Sequence, residues 1–230
     1  EKIVNKSHKN VHLSSGEILQ SKTVIIATGA RWRELNIPGE KENLGKGVAY
    51  CPHCDGPFFK NKEVAVVGGG NSGVEAALDL SGIAKKVSLI EFMPDLKADQ
   101  ILVDKVKNSD NIEIFTNTKS KEVVSESGIV NGLLCEKREN SEEFLIPLKG
   151  IFVQIGLIPN SNFVKNLVKT TSYGEIIIDE SGKTSIEGIF ACGDVTTIPY
   201  KQIVISMGEG AKTALTVADY LMKDYSEVAA

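Results

Sequence analysis

The stretch Val64-Ala65-Val66-Val67-Gly68-Gly69-Gly70-Asn71-Ser72-Gly73 decides the fold. A β-branched run ends in Gly-x-Gly-x-x-Gly, and the helical run Val74-Glu75-Ala76-Ala77-Leu78-Asp79-Leu80 follows at once. Strand, glycine turn and helix in that order separate a dinucleotide-binding fingerprint from a chance glycine match. Gly68 permits the tight turn, Gly70 lets the backbone approach a pyrophosphate, and Gly73 lets helix and strand pack closely. Gly70, Asn71 and Ser72 open a helix whose unpaired N–H groups and positive dipole end face the phosphates. A second apolar strand, Lys86 to Ile90, runs into Glu91, 18 positions beyond Gly73. That is close to the ~20-residue offset at which a carboxylate meets the adenosine ribose hydroxyls.

Outward from this core, two other stretches share its style. Thr23-Val-Ile-Ile-Ala-Thr28-Gly29-Ala30 reads as a buried strand ending in a small-residue turn, and Gly188-Ile-Phe-Ala-Cys-Gly193-Asp194 as a buried strand delivering an aspartate. Between Ala30 and the nucleotide strand, Arg31 to Gly39 is a polar connector that proline and glycine break, which places a domain boundary there. The front of the chain, to Gln20, predicts a small β-meander with His8 and His12 on its surface. Asp99 to Lys107 has helical spacing. Ile112–Phe115, Glu122–Val124 and Ile129–Cys135 predict strands, the last two joined through Ser127-Gly128, with Cys135 a semi-buried thiol. Ile151 to Ile155 is a strand that ends in a turn at Gly156, Glu175 to Asp179 is a further strand, and Lys201-Gln202-Ile203 opens a helical run from Ile205 to Met222. The fold class is therefore α/β, with two nested three-layer Rossmann-like domains. Residues 1–36 with 150–230 form one split domain, and 37–149 form a nucleotide-binding domain inserted into it.

Composition limits the function classes. The chain has 230 residues and 42% hydrophobic content, enough for one large core or two modest ones. A formal net charge of -4 gives no broad attraction to nucleic acid or anionic membrane. No apolar stretch reaches the roughly 18 residues of a membrane span and no signal peptide opens the chain, so a cytoplasmic location is expected. Four cysteines, two of them in one Cys-x-x-Cys, do not make a secreted disulfide scaffold.

Cys51-Pro52-His53-Cys54 lacks the second ligand pair that zinc needs, so no metal is expected. A redox pair is the reading, because a two-residue spacer lets the sulfurs close a short ring. His53 can stabilise a thiolate electrostatically, and Asp55 can donate or accept the exchanging proton. Glu91 argues for NADH over NADPH. A 2′-phosphate about 4 Å from it costs about 4 kcal/mol per unit charge pair at an effective dielectric of about 20. No Arg or Lys follows within two residues of Glu91 to neutralise that phosphate. Asp194 and Lys201-Gln202-Ile203 read alone fit a helix cap or a surface role as well as an anion-facing one.

Taken together, Ala27-Thr28-Gly29, Cys-x-x-Cys-Asp-Gly, Gly-Gly-Gly-Asn-Ser-Gly, Gly193-Asp194 and Tyr200-Lys201-Gln202 resemble the low-molecular-weight thioredoxin reductase family, in its order. Cys51-Pro-His-Cys-Asp-Gly-Pro57, Lys97-Ala-Asp-Gln100 and Tyr200-Lys-Gln-Ile203 are similar to the flavoprotein branch that serves bacterial alkyl hydroperoxide reductases. Where thioredoxin reductases carry a basic pair after the second strand, Glu91-Phe92 stands here, as in that NADH-using branch.

The resemblance implies FAD and NADH as cofactors. Hydride passes from NADH to FAD, and the flavin reduces the Cys51–Cys54 disulfide. Cys54 is the flavin-facing thiol, Cys51 the exchanging one and Asp55 the acid–base group. Thr28, Gly29, Gly193, Asp194, Lys201, Gln202 and Ile203 surround FAD, while Gly156 joins Gly68, Gly70, Asn71, Ser72, Gly73 and Glu91 around NAD. The partners implied are an N-terminal thioredoxin-like module of the same protein and then a peroxiredoxin, in a homodimer. The two domains rotate about hinges near Asn36–Gly39 and Lys149–Gly150. The family also opens with a second Gly-x-Gly-x-x-Gly unit for FAD; this chain carries only the NAD copy, so a truncated FAD domain is expected. The alternatives are a thioredoxin reductase acting on a separate thioredoxin and a non-catalytic nucleotide-binding or redox-sensing module.

Overall fold

Antiparallel pairing begins at once. β1 (Lys2–Asn5), β2 (Lys9–His12) and β3 (Ile18–Ser21) form a three-stranded meander. The computed structural model describes residues 1–228. They form two units, Trp32–Gly156 and the remainder on either side of it. After the meander come β4 (Val24–Ile26) and β5 (Ala30–Trp32).

The Trp32–Gly156 unit is built on the quoted stretch. Its elements are β6 (Val48–Ala49), α1 (Pro52–Asp55), β7 (Glu63–Val67), α2 (Asn71–Ser81), β8 (Lys86–Ile90), α3 (Gln100–Lys107) and β9 (Ile112–Phe115). They are followed by β10 (Thr118–Glu126), β11 (Ile129–Lys137), β12 (Glu143–Pro147) and β13 (Gly150–Val153). Five parallel strands stand in the order β6-β13-β7-β8-β9. Val64 and Val66 of β7 pack on α2 and α3 through Val74, Ala77, Leu80 and Val106. Ala65 and Val67 point the other way, onto the antiparallel β10-β11-β12 sheet through Val123, Leu133, Cys135 and Ile146. Strand alternation thus sends one run of small apolar residues into two cores, which is why the run is unbroken rather than alternating. The result has three layers: helices, a parallel sheet and an antiparallel sheet.

The chain continues with β14 (Leu157–Pro159), which pairs with β5, then β15 (Ile189–Ala191), which pairs in parallel with β4, and α4 (Ile203–Val228). Ile3, Ile26, Val164, Val168, Ile176, Ile189 and Val195 make the core of this other unit.

Several sequence expectations need correction. Glu175–Asp179 is no strand: only Ile176 makes isolated bridges, to Thr170 and Thr196. Its side chain is buried while Ile177 is exposed, so one residue anchors a passing segment that has no continuous partner edge. The Thr23–Ala30 strand is short and half-open, with Ile26 buried and Ile25 39% exposed. His12 is half-buried rather than on the surface. Cys135 is fully enclosed, because β11 is the middle strand of a sheet whose inner face meets the parallel sheet. Among the described residues, no helix is long and apolar enough to cross a membrane, and no cluster of three or more acidic, histidine or cysteine side chains could hold a metal.

Candidate functional site

β7 ends at Val67, and Gly68 turns the chain with φ +124, a conformation side chains rarely adopt. A Cβ on Gly68 would lie 2.3 Å from the Gln154 carbonyl oxygen, and one on Gly73 would lie 1.8 Å from the Gly68 carbonyl oxygen. The first contact packs the turn against the segment after β13, and the second packs α2 against its own approach loop. At Gly70 the space is open: a Cβ there would meet nothing within 4 Å. Gly70 is also the N-cap of α2 and makes no side-chain capping bond. The first-turn N–H groups are therefore available to an anionic group, and a pyrophosphate fits this cradle.

Glu91 lies beside the loop. Its carboxylate accepts the Gly69 N–H, and Oε1 accepts the Met93 N–H at 2.7 Å. The chain on either side is fixed, because the Glu91 N–H donates to Phe115 O at 2.8 Å and its carbonyl accepts the Thr118 N–H at 2.9 Å. This carboxylate is therefore held rather than free to swing. Asn71, the first residue of α2, pairs with Asp99. Its Nδ2 donates to Asp99 Oδ2 at 3.0 Å and its Oδ1 accepts the Asp99 N–H at 2.8 Å. Lys97 N–H donates to Gly69 O at 2.7 Å, so the β8–α3 connection is stapled to the glycine loop. A cleft of about 530 Å³ opens beside Gly68 and Glu91, with Asn36, Phe92, Thr118 and Ile155 among its lining. Its volume suits one arm or more of a dinucleotide. Gly156, with φ +104, follows Ile155 directly.

Cys51 and Cys54 are joined as a disulfide and do not line this cleft. Cys51 caps the single-turn α1, its Sγ accepting the Cys54 N–H at 3.2 Å, and Pro52 presets the first turn. On reduction, that N–H would face a Cys51 thiolate and favour its charged form. His53 Nδ1 lies 3.6 Å from Asp79 Oδ2 on α2, a partner that sequence reasoning missed. Asp55 N–H donates to Cys51 O at 3.0 Å, which tightens the same turn.

In the other unit, parallel β4 and β15 bring Thr28-Gly29 and Gly193-Asp194 to the same end of a ladder. Thr28 Oγ1 donates to Asn160 O at 2.7 Å, and Asn160 Nδ2 returns a bond to Thr28 O at 2.9 Å. Asp194 Oδ1 accepts from Ser206 Oγ of α4 at 2.8 Å. Lys201 directs its ammonium to Thr196 O and to Glu175 Oε1, the latter at 3.1 Å, so it braces the protein. Gln202 O accepts the Ser206 N–H at 2.9 Å in the first turn of α4, and Ile203 is exposed.

Buried Glu40 was also invisible in the sequence. Its Oε1 accepts from the Leu35 N–H at 2.9 Å and Tyr50 OH at 3.0 Å, and its Oε2 from the Asn36 N–H at 2.7 Å. Burial, then the hydrogen bond and charge of Glu40, push the Tyr50 phenol well above its ordinary range.

Residues 1–216 match the family described as "Pyridine nucleotide-disulphide oxidoreductase". The chain belongs to that family. The alkyl hydroperoxide reductase F subunit of Pseudomonas putida is 55% identical over 213 residues, covering 93% of this chain and 41% of that protein. The Staphylococcus aureus (strain MRSA252) protein of the same description is 55% identical over 214 residues, covering 93% and 42%. The chain thus spans about two fifths of the length of these relatives. Among solved structures, thioredoxin reductase from Streptococcus pyogenes MGAS5005 superposes with TM-score 0.90 at 38% identity, over 96% of this chain and 72% of that one. Thioredoxin reductase from Giardia duodenalis gives TM-score 0.91 at 30% identity, over 96% and 73%. The α/β architecture of a pyridine nucleotide-disulphide oxidoreductase is therefore the fold of this chain.

Proposed function

We propose that this chain is the nicotinamide-binding and disulfide-bearing part of an NADH-dependent flavin disulfide oxidoreductase. In the whole protein, electrons pass from NADH to FAD, to Cys51–Cys54, to a thioredoxin-like module and then to a peroxiredoxin that reduces alkyl hydroperoxides. The observation that carries this reading is one unit holding both an oxidised Cys51–Cys54 pair and an open glycine cradle flanked by an immobilised Glu91. The 55% identity to alkyl hydroperoxide reductase F subunits supports the choice of branch.

The net reaction balances as NADH, one proton and a disulfide giving NAD+ and two thiols. FAD, when bound, supplies the two-electron carrier between nicotinamide and sulfur. The residues of this chain supply the rest. The α2 N-terminus holds pyrophosphate and Glu91 takes the ribose hydroxyls while rejecting a 2′-phosphate. Cys54 accepts electrons, and Cys51, stabilised by the Cys54 N–H, leaves and then attacks the next disulfide. Asp55 moves the exchanging proton, and His53, oriented by Asp79, supports the thiolate. Thr28, Gly29, Gly193, Asp194 and the start of α4 belong to the FAD half-site. Among the described residues β4 is paired on one edge only, and its open edge and the exposed apolar face of α4 suit further strands and helices of an FAD domain.

Anaerobic titration with NADH in the presence of FAD tests the reading. Bleaching of a bound flavin band at about one equivalent, with the two thiols of Cys51 and Cys54 appearing together, supports it. Turnover unchanged in Cys51→Ser and Cys54→Ser sinks it. A second reading, a reductase for a separate thioredoxin, draws on the thioredoxin reductase structures; it predicts NADPH used as well as NADH.

A further inference from the structure

Phe92 is 48% exposed, yet the turn that carries it is tied to two other connections. The Asn117 N–H donates to Met93 O at 2.8 Å, and the Arg138 N–H donates to Asn117 O at 2.9 Å. Arg138 Nη1 donates to Phe92 O at 3.0 Å and to Asn117 Oδ1 at 3.1 Å. Its guanidinium carbon stands 3.9 Å from the centroid of the Phe92 ring. Three connections meet here: the β8–α3 turn, the β9–β10 turn and the end of β11. Nothing in a folding core requires that effort for a surface ring. Phe92 also lines the 530 Å³ cleft, directly after the carboxylate fixed by Gly69 and Met93.

We propose that Phe92, backed by Arg138, is the platform on which the adenine ring of the dinucleotide stacks. The inference rests on the dinucleotide reading above and assigns the base subsite within it. If Glu91 takes the ribose hydroxyls, the base on the neighbouring ribose carbon must find a flat apolar partner close to Glu91. Phe92 is the aromatic side chain placed next to that carboxylate on the cleft wall. An exposed phenyl ring ordinarily loses rotamer freedom when a base stacks on it; the guanidinium holds the ring before ligand arrives and lowers that cost. Arg138 is thus a positioning residue. Its charge is directed at the ring and two oxygen acceptors, while Lys121 on the same cleft wall is paired with Glu136 and Glu143.

The test is calorimetric titration of the chain and its variants with NADH, ADP-ribose and reduced nicotinamide mononucleotide, which lacks the adenosine. Stacking of one base predicts that Phe92→Ala weakens NADH and ADP-ribose alike by about tenfold. The mononucleotide affinity stays unchanged and Phe92→Tyr restores the loss. Arg138→Ala weakens both adenine ligands by about threefold, and Arg138→Lys, which keeps a cation over the ring, recovers part of that. NADH affinity within twofold of the parent in Phe92→Ala overturns the proposal, as does an equal loss for the mononucleotide. A folded parent chain that binds neither NADH nor ADP-ribose overturns the dinucleotide reading itself, and this platform with it.

Discussion

The Trp32–Gly156 unit and its neighbour use the same local device, an apolar strand that ends in a glycine turn, and they complete it to different degrees. β7 has strands on both edges and a layer on both faces, and Val64, Ala65 and Val66 are fully buried. β4 has β15 on one edge, and its central residue Ile25 stays 39% exposed. α4 likewise buries Thr213 and Val217 while Met207 and Leu215 are 70% and 71% exposed. A strand–turn signature fixes the turn; it cannot by itself supply the layers that bury the strand. The first unit has a cradle ready for a ligand. The second has turns in place and apolar surface still open.

The sharpest way to break this comparison is to attack the internal bracing of the more complete unit. Glu40→Ala leaves two backbone donors and the Tyr50 hydroxyl without their acceptor, at a cost of about 4 kcal/mol. Thermal or urea unfolding should show that loss; a cost below about 1 kcal/mol would mean the Leu35–Tyr50 region is not braced as the geometry implies.

Next comes the cradle. Gly73→Ala forces a methyl group against the Gly68 carbonyl and should weaken NADH binding by about a hundredfold, roughly 2.7 kcal/mol, without unfolding the chain. Unchanged affinity would remove the glycine loop from the site.

A smaller effect separates the buried thiol from the redox pair. Burial pushes Cys135 up to about 12 from 9.0. The native state keeps this proton while the unfolded chain releases it, so the contribution is fully present below pH 9. It is lost as pH rises towards 12, at about 1.4 kcal/mol per pH unit. Cys135→Val should therefore flatten the alkaline fall in stability over pH 9 to 10.5. In reduced protein, Cys51 and Cys54 should also react with alkylating reagent well before Cys135 and Cys192, whose thiol burial and Glu209 also push up.

The smallest effect is on α4. Met207→Gln and Leu215→Gln replace exposed apolar side chains with good helix formers and should shift the stability of this chain by no more than about 0.5 kcal/mol. A loss above about 1 kcal/mol would show that this face is already packed in solution.

The sequence exposed what is written within one short window. The glycine loop, the α2 start, the Cys51–Cys54 ring and the Ser127-Gly128 hairpin all depend on neighbours a few residues away. It missed β12 and β14, because a five-residue edge strand and a three-residue pair carry too little pattern. It turned Glu175–Asp179 into a strand because an isoleucine run looks the same whether one residue or all of them find a partner. No Arg or Lys stands within two residues of Glu91 along the chain, while the structure brings Arg138 to Phe92 across 46 positions.

By itself, then, the sequence determined that this is an α/β nucleotide-binding chain with one dithiol pair, since backbone turns and short disulfide rings are set by adjacent residues. Only the tertiary structure decided that Glu91 is immobilised, that Glu40 braces the connector, that Asn160 clamps Thr28 from 132 positions away and that Arg138 backs Phe92. Such partners meet only when the sheets close and bring distant turns side by side. Spacing along the chain carries no record of that closure.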